Sequence, residues 1–199
     1  LCKAVVKNER YFDEFSIFET AQVFRDENYT SPYDPREKLP SQCKNVAGAF
    51  ATTDKDITAL FRKAKGVVEM MARYVHMETL TFRQTEKPVW ADNVVWLNIY
   101  RGDEKVGDLA LLAKKVSMAC GIKNLNVMLF QLDQDALVPL KSRTNTLSHL
   151  AEYPMTDYDI SLLFDSQVKW SQMDDVLAQG LHENGLLHGA DFVDEYRGT

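Results

Sequence analysis

Strand-like segments outnumber helical ones in this chain and follow one another without a helix between each pair, the feature that most narrows its possible folds. Eight stretches, 15–24, 46–51, 80–83, 94–100, 106–109, 126–132, 158–165 and 190–196, are rich in β-branched and aromatic residues. Arg101-Gly102-Asp103 joins two of them as a hairpin. Parallel strands need a crossover of a dozen or more residues, usually a helix, so this order predicts an α+β fold with an antiparallel sheet. With 199 residues, 45% of them apolar, there is enough chain for a real core.

Three segments carry helical periodicity. The first starts after Thr53-Asp54 as N-cap and runs to His76, with Ile57, Leu60, Phe61, Ala64, Val68, Met71, Ala72 and Val75 at three- and four-residue spacing. The second covers 111–120 and is stopped by Gly121. The third runs from Ser171, again an N-cap, to Gly185. Phe61 and Trp96 are expected in the core, Trp90 half exposed. Pro32, Pro35 and Pro40 break any pattern over 28–42, which reads as a long exposed loop. The polar stretch around Thr144-Asn145-Thr146 reads as a linker, dividing residues 1–147 from 148–199.

Charge follows the same division. From Ser148 on, ten acidic residues face only Lys169 and Arg197, a balance of −8, so the first 147 residues carry +2 of the total −6. A segment at −8 is not expected to grip nucleic acid unaided, because that binding rests on Lys and Arg releasing counterions. Cys2, Cys43 and Cys120 are too few and too scattered for a disulfide framework or a CxxC metal site, which fits a cytoplasmic protein. No apolar run approaches the roughly 20 residues of a membrane span. The chain starts at Leu1 without signal-peptide features and reads as a piece of something longer.

Several chemical motifs fail on spacing. His182 and His188 are six apart with Gly185 between them, whereas a helical zinc pair needs four. Leu186 stands where a phosphate-binding loop requires Lys, and there is no GxGxxG. Asp54, Asp56, Asp174 and Asp175 sit at helix starts, where the macrodipole explains them. No catalytic residue and no metal site is expected. Phe24-Arg25-Asp26-Glu27 resembles motif 2 of class II aminoacyl-tRNA synthetases, whose Arg binds an ATP phosphate. The matching glycine-rich motif 3 ending in Arg is missing, so adenylation by this chain alone is not expected.

Taken together, two stretches resemble the β subunit of bacterial phenylalanyl-tRNA synthetase. Residues 15–24, SIFETAQVF after Phe15, look like the family's "FEIGRVF" strand in its catalytically silent, catalytic-like domain. In family order come the loop, the helix, the hairpin Gly102-Asp103-Glu104-Lys105-Val106-Gly107, and the strand 127–132 leading to Asp135-Ala136-Leu137. Further on, Tyr153-Pro154, then Asp159-Ile160-Ser161-Leu162-Leu163-Phe164-Asp165, then Phe192-Val193-Asp194-Glu195-Tyr196-Arg197-Gly198 are similar to the first half of the family's ferredoxin-fold anticodon-binding domain. The family's "HPGRSA" is replaced by Pro88-Val89-Trp90-Ala91-Asp92-Asn93, and its "GELHP" by Asp108-Leu109-Ala110-Leu111.

The resemblance implies an antiparallel class II synthetase-like core over 1–147 and an incomplete ferredoxin-like βαβ segment over 148–199. It implies a heterotetrameric ligase for translation that charges tRNA-Phe with ATP and Mg²⁺ in its α subunit, this chain supplying support and RNA contact. No cofactor is expected in the chain itself, no DNA and no membrane. Asp194 and Tyr196, two apart and so on one face of a strand, are the anticodon readers the resemblance implies. The alternative is that Tyr196 packs on the strand of Tyr158 while Asp194 solvates an edge. A ferredoxin-like module places the strand that would follow Thr199 between 158–165 and 190–196, so the piece from Tyr153 on is expected to pair with a second copy, to bring its two strands together in a non-family arrangement, or to be poorly ordered. The rival to the synthetase reading is a divergent paralogue serving as a protein-interaction domain.

Overall fold

The computed structural model describes residues 1–30, 36, 38–74, 79–137, 154–165, 167–183 and 189–196; the side chains of 25–30, 38, 39, 182 and 183 lie outside the description. The chain divides into two compact units, Leu1–Leu147 and Ser148–Thr199.

The first unit opens with α1 (Cys2–Asn8), followed by β1 (Glu14–Thr30), β2 (Lys38–Thr52), α2 (Ile57–Tyr74), β3 (Thr81–Arg83), β4 (Ala91–Arg101), β5 (Glu104–Leu112), α3 (Lys114–Cys120), β6 (Asn126–Asp133) and α4 (Gln134–Leu137). The six strands form one sheet in the order β1-β2-β6-β5-β4-β3, with every pairing antiparallel. The α+β expectation therefore holds, in the form of an antiparallel sheet with flanking helices.

Side chains alternate across a strand, so β6 sends Met128, Phe130 and Leu132 to one face and Val127 and Leu129 to the other. Each set must be covered. On the first face lies α2, whose buried Leu60, Ala64, Val68 and Ala72 recur every four residues and make one helical seam. On the second, Val5 of α1 and Val116, Ile122 and Leu125 at and beyond α3 join Ala49, Ala51 and Leu112. The sheet is thus the middle of three layers.

Several boundaries differ from the sequence reading. The cap of α2 is Asp56, whose Oδ1 accepts the Ala59 N–H at 2.9 Å, not Thr53-Asp54. Residues 111 and 112 belong to β5 rather than to the helix, because Leu111 pairs with Met128 and Leu112 with Ala91. Gly121 does close α3, with φ +86°. The exposed loop over 28–42 is mostly ribbon: β1 reaches Thr30 and β2 starts at Lys38, with Asn28 opposite Pro40. Pro40 is tolerated because β2 pairs with β6 only from Asn45 onward, so at Pro40 one side of the strand carries no ladder. Phe61 and Trp96 are half-buried rather than core, as Trp90 is. Asp92 Oδ1 accepts the Val94 N–H at 2.9 Å, the register shifts between Ala91 and Trp96, and Trp96 ends in a shallow cavity beside Phe61. That amide bond is also the main cause holding the Asp92 carboxyl below its usual range.

In the second unit the described element is α5 (Trp170–Glu183), which starts one residue before Ser171; Lys169 N–H bonds to Gln172 Oε1 at 2.9 Å across its start. Residues 158–165 and 190–196 are not strands: neither has a ladder among the described residues. A segment with strand composition becomes a strand only when a neighbour takes its backbone groups. The His182/His188 pair, His76, His149, the 144–148 linker and the side chain of Arg25 lie outside the described residues and side chains.

Strand β5 runs unusually close to β6 at Gly107: a Cβ there would sit 2.1 Å from the Gln131 carbonyl oxygen. Backbone cannot swing away as a side chain can, so Gly107→Ala is expected to cost about 2–3 kcal/mol in urea unfolding. Gly66 on α2 gives the contrast, since a Cβ added there would meet nothing within 4 Å. Gly66→Ala should gain up to about 1 kcal/mol.

Candidate functional site

The register of the sheet lines up three polar side chains in one row. Asn98 on β4 faces Asp108 on β5, and Asp108 faces Gln131 on β6. Directly opposed residues share a face. Asn98 is fully buried and Asp108 is 6% exposed. Such burial is costly unless every polar atom finds a partner.

Each does. Asn98 Nδ2 donates to Asp108 Oδ1 at 2.7 Å and to the Glu86 carbonyl at 2.8 Å. Its Oδ1 accepts the Thr85 N–H at 3.0 Å, the Thr85 hydroxyl at 2.8 Å and the Glu86 N–H at 3.0 Å. Asp108 accepts from Gln131 Nε2 at 3.1 Å and pairs with Lys105 Nζ at 3.0 Å. One carboxylate thus receives three donors, and one carboxamide moors the segment between β3 and β4 to the sheet. The row's chemistry is that of a fastening: its one acid is held by a cation and two amides, without a nucleophile beside it.

A second fastening closes the end of β6. Asp133 Oδ1 accepts the Ala136 N–H at the start of α4, Asp135 Oδ2 accepts the Lys44 N–H of β2 at 2.8 Å, and the Arg101 guanidinium donates to the Ala136 carbonyl. Across α1 and α3, the free Cys2 and Cys120 thiols are neighbours. Burial, with Cys120 adding to it, pushes the Cys2 thiol upward. Between β1 and α2 lies a shallow apolar cavity of about 280 Å³ walled by Phe18, Val46, Val67 and Met71. Phe18 stands 81% exposed at its mouth.

Asp194 and Tyr196 are both exposed, in a stretch without a ladder, so strand alternation does not set where they face. Tyr196 and Tyr158 are 88% and 83% exposed. The ring contact present in this unit is another one, Trp170 edge-on to Phe192 at 4.9 Å. Among the described residues no three His, Cys, Asp or Glu side chains gather as metal ligands would. Sequence reading missed the Asn98–Asp108–Gln131 row, although a signal existed: Asn98 and Asp108 interrupt otherwise apolar strands. It also missed α1, whose Val5 and Val6 give too short a pattern to read.

The family model of the phenylalanyl tRNA synthetase beta chain CLM domain matches residues 1–134, from α1 through β6. The chain belongs to that family. Among solved structures it is similar to the pyrrolysyl tRNA synthetase PylSc of Desulfitobacterium hafniense, at 12% identity and a TM-score of 0.53, over 69% of this chain and 45% of that one. A second pyrrolysyl-tRNA synthetase structure from the same organism shares 15% identity with a TM-score of 0.48, over the same 69% and 45%. The first of these, at 12% identity, speaks to the fold alone, that of a class II synthetase. No curated protein matches the chain. The chain spans less than half the length of these solved relatives, and the family match covers none of 148–199.

The CLM domain's polar row should therefore behave as structure. Replacing Asn98 with Leu strands the Thr85 and Glu86 amides, and is expected to cost about 2–3 kcal/mol in urea unfolding at neutral pH. A loss below about 1 kcal/mol would show that the row fastens nothing.

Proposed function

We propose that this chain is the silent, supporting part of a phenylalanine-tRNA ligase β subunit, working with a catalytic α subunit in a cytoplasmic heterotetramer. The observation that carries this reading is the family match together with the state of the row it covers: the buried carboxylate, Asp108, is consumed by Asn98, Gln131 and Lys105. A sheet whose buried polar atoms satisfy one another suits a scaffold better than a substrate pocket. ATP and Mg²⁺ would belong to the α subunit, and no cofactor to this chain.

Residues 148–199 would be the opening half of an anticodon-binding module. In that reading Asp194 accepts from a base edge and Tyr196 stacks on an unpaired base, the way RNA modules read single strands. Their exposure is compatible with both roles.

The test is reconstitution of the full-length protein with a phenylalanyl-tRNA synthetase α subunit. Co-elution as one complex and tRNA-Phe charging that needs both chains are expected. Asp194→Asn should raise KM for tRNA about tenfold, the loss of roughly 1.4 kcal/mol from one charge-assisted bond, with phenylalanine activation unchanged. Failure to assemble would contradict the support role. Assembly without any effect on charging would leave the divergent paralogue as the better description, and unaltered tRNA kinetics in the variant would remove Asp194 from the RNA contact.

A further inference from the structure

The face of the sheet domain covered by α1 and α3 gathers six cations. The strap that follows α3 runs alongside α1 and is tied to it by the Glu9 carboxylate, which accepts the Lys123 N–H at 3.0 Å and the Asn124 N–H at 2.7 Å. Lys3 and Lys7, one helical turn apart, project from α1, and Arg10 follows it. Lys114 and Lys115 start α3, and Lys123 lies on the strap. All six are exposed. None forms an ion pair with a described carboxylate.

Segments 1–10 and 113–124 hold these six cations and one acid, Glu9, which is already engaged. They carry +5, so the rest of the chain carries −11 of the total −6. Like charges gathered on two packed helices repel, and a polyanion relieves that repulsion. Aromatic rings flank them. The Arg10 guanidinium lies 4.7 Å over the Tyr11 ring, and Tyr11 meets Phe12 edge-on at 6.4 Å. Tyr11 is 66% and Phe12 54% exposed, and Phe12 is braced from behind by Phe15 at 6.3 Å. Unpaired cations beside exposed, braced aromatic rings fit a ligand that offers both phosphates and flat unpaired bases.

We infer that the face built by α1, α3 and the 121–124 strap binds RNA, its cations meeting backbone phosphates and Tyr11 stacking on an unpaired base. This rests on the tRNA-binding reading above, in which the RNA is tRNA-Phe, and it adds a contact on the sheet domain to the one proposed for 148–199. An acidic protein surface would satisfy the cations and leave the rings without a role.

The experiment measures tRNA-Phe binding by fluorescence polarisation from about 50 to about 300 mM salt, using the full-length protein assembled with its α subunit. Lys3→Gln/Lys7→Gln/Arg10→Gln/Lys123→Gln should weaken binding at least about tenfold near physiological salt. It should also flatten the log affinity–log salt slope by about 3, since each of the four phosphate contacts contributes roughly 0.7–0.9. Tyr11→Ala should weaken binding about fivefold or more with the slope unchanged. Unchanged thermal midpoints establish that both variants are folded. Equal affinity and slope in the quadruple variant would overturn this surface while leaving tRNA binding by the assembly intact. If the quadruple variant loses the α subunit but its tRNA affinity stays, the face is a protein interface and the inference fails. A wild-type assembly that binds no tRNA would sink the inference together with the tRNA half of the proposed function.

Discussion

Everything in the sheet domain depends on β6 entering between two structures made earlier in the chain. The β1–β2 hairpin and the β3–β4–β5 meander share no ladder among the described residues; β6 pairs with β2 from Asn45↔Asp133 to Thr52↔Asn126 and with β5 from Gly107↔Leu132 to Leu111↔Met128. It is therefore the strand that turns two local pieces into one sheet, and its alternating apolar residues then require cover on both faces. That requirement assigns α2 to one side and α1 with α3 to the other. It also explains the close approach at Gly107, where β5 yields to the incoming backbone, and the fastening by Asp133, Asp135 and Arg101 at the strand's far end.

Much of this was legible in the sequence because it is local. The α2 seam is written in four-residue spacing, the Gly102 turn in its flanking strands, and the end of α3 in Gly121. What was misplaced depends on partners distant in sequence. Pro40 argues for a loop until one sees that β2 has no second neighbour at that position. Leu111 and Leu112 extend a helical pattern until Met128 and Ala91 claim them for β5. Phe61 and Trp96 have core composition, yet both line the shallow cavity between α2 and β4, where the register shifts between Ala91 and Trp96. Segments 158–165 and 190–196 have strand composition but no ladder partner among the described residues, and composition alone does not make a strand.

The same distinction applies to the site. A resemblance read along the chain pointed to the synthetase β family, and the match over 1–134 shows it. The residues named for RNA reading, Asp194 and Tyr196, lie outside that match. The residues that the fold brings together, Asn98, Asp108 and Gln131, are separated by 10 and 23 positions, so no motif could have grouped them. Their completed hydrogen bonding is the physical basis for reading the sheet as a scaffold. The charged and aromatic exterior around α1 and α3 lies apart from that row.

Whether the sheet is a scaffold or an adenylating site is decided most directly by ATP–pyrophosphate exchange, run on this chain without an α subunit and with phenylalanine and Mg²⁺ supplied. The silent-scaffold reading predicts no amino-acid-dependent exchange above background at any phenylalanine concentration. Phenylalanine-dependent incorporation of label into ATP by the chain alone would contradict it.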